Sequence, residues 1–225
     1  NTYLSTRFGH LGTYDLASGI FTQISTSIYF QQLAVTPDNK LYGTLNFELR
    51  SINPTDGTSE IIGGYGRAMK TLAYGPNNLL YGIDQEGNLC EIDPNTGTAT
   101  ELFSVNSLPE FINAFAYDPI GQLFYVSGDL DDGNDGSRIL SISLDGTSTV
   151  LGVNSVTMFM GFIFDGETFY GINIDRQQYI IDKTNGAATF DKNLVSDYDV
   201  FSVTRASTCE RPSRRVLLSR KKRLL

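Results

Sequence analysis

The stretch Leu72–Leu102, LAYGPNNLLYGIDQEGNLCEIDPNTGTATEL, decides the fold. It holds three short β-patterned runs (LAY, LLYGI, LCEI) and the start of a fourth (TATEL). Gly75-Pro76-Asn77-Asn78, the acidic segment Asp84–Gly87 and Asp93-Pro94-Asn95-Thr96-Gly97 separate them. Pro fixes φ near −65°, and Asn and Gly tolerate φ > 0, so these segments suit tight hairpin turns. The stretch therefore predicts four antiparallel strands in series, A to D.

The unit recurs. Its Gly turn, preceded by Ile or Tyr and a polar residue and followed by alternating Thr and Ser, occurs in Tyr14–Ile24, Ile52–Ile62, Ile92–Leu102, Ile142–Leu151 and Ile181–Phe190. The turn glycines are Gly19, Gly57, Gly97, Gly146 and Gly186, separated by 38, 40, 49 and 40 residues. A strand-rich period of this length indicates propeller blades. Two further markers keep phase: Leu33–Val35, Leu72–Tyr74, Phe115–Tyr117 and Phe162–Phe164 for strand A, then Leu41–Gly43, Leu80–Gly82, Leu123–Tyr125 and Phe169–Gly171 for strand B. On this alignment Tyr42, Tyr81, Phe124 and Tyr170 are equivalent core residues. No stretch carries sustained helical periodicity with caps.

The two ends explain each other. Thr2-Tyr3-Leu4 aligns with strand B, so the first copy lacks strand A; Val200–Val203 aligns with strand A and has no blade after it. Circular closure, with the C-terminal strand entering the N-terminal blade, satisfies both and hides a sheet edge. The expectation is an all-β, five-bladed propeller of four-stranded antiparallel blades, about 42 residues each. The blades are 2–25 with 199–205, 30–62, 69–103, 112–152 and 159–191. Together they form one domain over 1–205, followed by a basic tail over 206–225 that is expected to be disordered.

Charge separates the tail from the body. The net charge is −8, but residues 209–225 hold seven Lys or Arg and one Glu, leaving 10 basic and 24 acidic side chains in 1–208, a net −14. A body this acidic disfavours nucleic acid, whose phosphates need clustered Lys and Arg. No run of about 18 apolar residues exists to span a membrane. The two cysteines, Cys90 in a strand and Cys209 at the edge of the tail, do not make a disulfide framework. The chain begins at Asn1, consistent with a mature terminus or a fragment.

The repeated L-Y-G … I-D-P-x-T-G-x-x-T unit resembles the repeats of bacterial secreted propellers of the quinoprotein-like, NHL and YVTN type, and is similar to repeat domains of unassigned function. The resemblance covers residues 1–205 and implies an extracellular or cell-surface location, with the periplasm as the alternative. Quinone-dependent members of that superfamily use Trp for blade docking and cofactor stacking. This chain has no Trp, so no redox cofactor is expected. The tail faintly resembles the Pro-Ser plus Arg/Lys ends of bacterial C-terminal sorting signals, without the hydrophobic span that joins their two parts.

Function is less legible, because propellers host many activities. The A–B and C–D turns, which share one face, are short. The B–C and D–A loops on the opposite face vary in length, so that face is the expected binding face. Its candidate ligand contacts are Tyr65, Arg67, Glu110, Phe111, Asp175 and Arg176. Ile61–Arg67 is Gly-rich, but no helix follows to form a phosphate cradle; a flexible D–A connection with exposed Tyr65 and Arg67 is expected. The insertion Gly128–Ser137 offers Asp129, Asp131, Asp132, Asn134 and Asp135 as oxygen donors for Ca²⁺, although Gly133 breaks the third position of the DxDxDG pattern. His10 is the single histidine, which argues against a histidine-based metal site or triad. The expected function is a monomeric, non-catalytic module that binds carbohydrate or protein. The alternative is a carboxylate-dependent glycoside hydrolase or lyase, which needs two acids about 5–10 Å apart, drawn from Glu48, Asp84, Glu86, Glu110, Asp129 and Asp175.

Overall fold

The computed structural model describes residues 1–26, 29–129 and 136–205. Its strands form five four-stranded antiparallel sheets. The first blade joins β1 (Thr2–Thr6), β2 (Leu11–Tyr14) and β3 (Phe21–Ser25) to β20 (Val200–Arg205). The second is β4 (Gln32–Val35), β5 (Leu41–Leu45), β6 (Glu48–Ile52) and β7 (Ser59–Gly64). The third is β8 (Ala73–Tyr74), β9 (Leu80–Ile83), β10 (Asn88–Ile92) and β11 (Ala99–Ser104). The fourth is β12 (Phe111–Asp118), β13 (Leu123–Asp129), β14 (Ser137–Ile142) and β15 (Ser148–Asn154). The fifth is β16 (Phe159–Asp165), β17 (Thr168–Asn173), β18 (Gln177–Ile181) and β19 (Ala188–Asn193).

The chain is a five-bladed propeller. Its innermost strands touch in the cyclic order β20, β4, β8, β12, β16 and back to β20. Closure is as the two ends of the sequence require: β20 pairs with β1 antiparallel, with Tyr3 opposite Thr204 and Leu4 opposite Val203. The Leu33 backbone N–H donates to Ser202 Oγ at 3.1 Å, tying β4 to β20 in a buried setting.

Burial follows strand order. The second strand of each blade is largely buried, while the outer strands β3, β7, β11, β15 and β19 hold only half-buried and exposed positions. The apolar clusters lie between blades, for example Ala73, Tyr81 and Leu89 of the third blade against Phe115, Phe124 and Val126 of the fourth. In the second, third and fifth blades a strand-B glycine leaves room for groups at or just before strand A. A Cβ on Gly43 would sit 2.5 Å from the Phe30 ring, and one on Gly171 would sit 2.6 Å from Phe159.

The strand register corrects one equivalence. Tyr42 faces Ser51, Tyr81 faces Glu91, and the residue in the matching place of the fourth blade is Tyr125, opposite Ser141. Phe124 instead matches Leu41 and Leu80, all three standing opposite the last Ile of strand C. The fourth blade carries one more residue in its A–B turn, Pro119-Ile120-Gly121-Gln122, with Gln122 at φ 57°. That shifts Leu123-Phe124-Tyr125 by one relative to the other blades.

Candidate functional site

The inner strands end at the A–B turns, and there four blades frame a cavity of about 230 Å³. Buried Phe115, Phe162 and Phe164 make its floor. Partly exposed Tyr74 and Tyr117 form walls, and Asn77, Asn78, Thr204 and Arg205 bring polar groups to the rim. Strand B holds the floor in place from behind. Phe124 stacks on Phe115 (ring centroids 5.2 Å apart, planes at 5°), and Phe169 stacks on Phe164 (4.5 Å, 12°).

The rim is preset by its turn. Asn77 and Asn78 both adopt left-handed backbone (φ 59° and 60°), a conformation Asn tolerates better than most residues. The Tyr74 hydroxyl donates to Asn78 Oδ1 at 2.7 Å, fixing ring and amide together. Burial raises the pKa of the Tyr74 hydroxyl, with the Asp38 carboxylate adding to it, so it stays a neutral donor. Gly75 leaves room for the wall: a Cβ there would stand 2.5 Å from the Tyr81 ring. Arg205 is held by Asp165 at 2.8 Å and by Thr2 Oγ1 at 3.3 Å.

No Asp or Glu is among the described residues that line this cavity. The six acids considered for glycoside chemistry lie elsewhere. Glu48 pairs with Arg50 at 3.0 Å. Glu86, Glu110 and Asp175 are exposed. Asp129 ends β13, and burial raises its pKa. Asp84 is fully buried: it accepts from Arg67 at 2.7 Å and from the Asn88 backbone and side chain at 2.8 and 3.1 Å. Burial alone would raise its pKa, but the Asn88 and Arg67 hydrogen bonds outweigh that and hold it below the ordinary value.

The loop-face candidates come from successive parts of the ring, from the end of the second blade to the fifth. Tyr65 was expected to be exposed and is buried, its hydroxyl 2.8 Å from Thr44 Oγ1; it is a packing group between the second and third blades. The connection carrying it is pinned. Arg67 spans Asp84 and Glu101 (3.2 Å), while the Lys70 and Gln85 backbone N–H groups donate to Ile83 and Ala68. Glu110 precedes the fourth blade and Phe111 opens its first strand, and both are exposed. Asp175 and Arg176 lie in the fifth, where Arg176 Nη1 donates to the Ser196 carbonyl at 2.7 Å. His10 stacks on Tyr198 at 3.8 Å. Of the proposed calcium donors, Asp131, Asp132, Asn134 and Asp135 lie outside the described residues, as do Cys209 and the tail.

Sequence reasoning passed over Tyr74, Asn77, Asn78, Tyr117, Thr204 and Arg205, because short turns look like plain scaffold. The available signal was Asn-Asn after Pro, at the mouth of an inner strand ending in Tyr. Comparison with known proteins bears on the fold. No protein-family model matches the chain, and no curated protein sequence does. Among solved structures it is similar to a chain of a nidogen/laminin complex (TM-score 0.61, 12% identity, 91% of this chain and 98% of that one). It is also similar to a gluconolactonase from Xanthomonas campestris (0.58, 12%, 89% and 78%) and to TolB from Acinetobacter baumannii (0.55, 15%, 92% and 54%). These likenesses extend to the fold alone. No helix among the described residues is long and apolar enough to cross a membrane.

Proposed function

We propose that the protein is a non-catalytic binding module that takes a single sugar-sized ring in the axial cavity of its turn face. The observation that carries this reading is the lining itself: aromatic floor and walls, a rim of Asn77, Asn78, Thr204 and Arg205, and no Asp or Glu among the described lining residues. Rings offer flat apolar contact to the C–H face of a sugar, while amide and guanidinium groups make paired hydrogen bonds to hydroxyls. The cavity's 230 Å³ falls below the roughly 300–1,000 Å³ of sites for drug-sized ligands, which suits one ring. The described lining residues do not supply the two facing acids that inverting or retaining glycoside hydrolysis uses.

The resemblance of the repeats to secreted bacterial propellers supports an extracellular or cell-surface location for this module. Glycan-array screening tests the binding reading. Wild-type protein is expected to retain a defined set of glycans, and Arg205→Ala combined with Tyr117→Ala to lose them at least tenfold. Array signals that survive both substitutions would contradict it.

A further inference from the structure

The axial cavity is not isolated. A second cavity of about 500 Å³, on the same face between the second and third blades, is lined by Tyr74 and Asn78 as well, together with Thr36, Lys40 and Asn95. A third, of about 580 Å³, lies over the first blade and shares Arg205; Asp15 and Ser18 belong to it. Tyr74 and Asn78 are thus a partition between two cavities, and Arg205 a partition between two. The three cavities form one series, flank to axis to flank.

We infer that this series is a trough for an extended, uncharged oligosaccharide of about three sugar units, with the middle unit in the axial cavity. The inference rests on the reading of that cavity as a sugar site. The partitions are narrow and prearranged, as a chain of rings joined by glycosidic oxygens requires. The Tyr74–Asn78 hydrogen bond locks one, and the Arg205 pair with Asp165 locks the other. Hydroxyl and amide groups recur along the flanks at Ser18, Thr36 and Asn95. The trough leaves no unpaired cation for an anionic ligand among its described lining residues: Asp38 and Lys40 neutralise each other at 3.0 Å, and Arg205 is paired with Asp165 at 2.8 Å. An extended peptide would pair along a free strand edge, whereas this trough crosses turns and strand ends, with Thr22 alone of the outer strand β3 among its described lining residues.

The test is calorimetric titration of the full chain with homologous series of one to five sugars, for the linkages retained on a glycan array. Affinity is expected to rise at least tenfold from one unit to three and to level off beyond three. Asn95→Ala and Ser18→Ala, in the two flanks, should each reduce the gain from chain length several-fold. Equal affinity for one unit and for three would overturn the trough while leaving the axial site standing. Absence of saccharide binding at every length would overturn both. Saturable binding of extended peptides with no saccharide binding would assign the trough to a peptide and equally overturn the proposal.

Discussion

Asp84 is fully buried and charged, and its partners explain how. Its folded pKa lies below the ordinary 3.8, so its stabilisation is complete above about pH 4 and is lost as pH falls through the depressed folded value. Asp84→Asn is expected to cost about 1–3 kcal/mol at pH 7, and the gap from wild type should narrow on acidification to pH 3; denaturant titrations at both pH values measure this. Nearby Cys90 is buried, and its thiol pKa is pushed up to about 11 by burial and then by the Asp84 carboxylate. In a Cys209→Ser background the native protein should therefore show no rapid reaction with a thiol reagent at pH 8, and one equivalent after unfolding. Phe47 is a third particular residue. It is 65% exposed, has φ 90°, and follows Asn46 in a two-residue β5–β6 turn where glycine is the usual occupant. Phe47→Gly should raise stability by about 1 kcal/mol, read as an increase in Tm.

At the scale of elements, the C–D turn of the third blade packs against the second blade through glycine. A Cβ on Gly97 (φ 75°) would lie 2.8 Å from the Gly63 carbonyl, and a Cβ on Gly63 would lie 2.0 Å from the Thr96 carbonyl. The turns repeat one hydrogen bond: the Gly19, Gly57, Gly97 and Gly186 N–H groups each donate at 2.8 Å to the carbonyl four residues back, whereas Gly146 closes a shorter turn on Ser143 at 3.2 Å. Gly97→Ala should cost about 1–3 kcal/mol, and at this chain length each kcal/mol lowers Tm by roughly 2–4 °C. These elements were legible in the sequence because turn chemistry is local: Asp-Pro-Asn-Thr-Gly specifies its own geometry. The one-residue shift at Phe124 was not, because an extra residue in a turn leaves the apolar run looking alike in two registers, and only pairing with β14 separates them. The burial of Tyr65 was also hidden. A Gly-rich connection reads as loose until Thr44, two strands back in the same blade, meets Tyr65 and the Arg67 clasp is in place.

For the whole molecule, the ring is closed by the β20–β1 pair at its centre and by polar contacts farther out. There the Tyr14 hydroxyl donates to Gln178 at 2.6 Å, Gln178 donates to Asp191 at 2.6 Å, and Lys192 reaches the Leu16 and Ala17 carbonyls at 3.0 and 2.8 Å. The closing strand also delivers Thr204 and Arg205 to the axial rim, so the device that completes the fold completes the site. This convergence explains why the site was the least legible feature: its residues come from four blades, and each looks like ordinary scaffold in its own repeat. On the proposed reading, ligand enters at the turn face rather than at the loop face. The most direct test is an amide chemical-shift titration with a glycan retained on the array. The largest shifts are expected at Tyr74, Asn77, Asn78, Tyr117, Thr204 and Arg205. Shifts concentrated instead at Glu110, Phe111, Asp175 and Arg176 would contradict it.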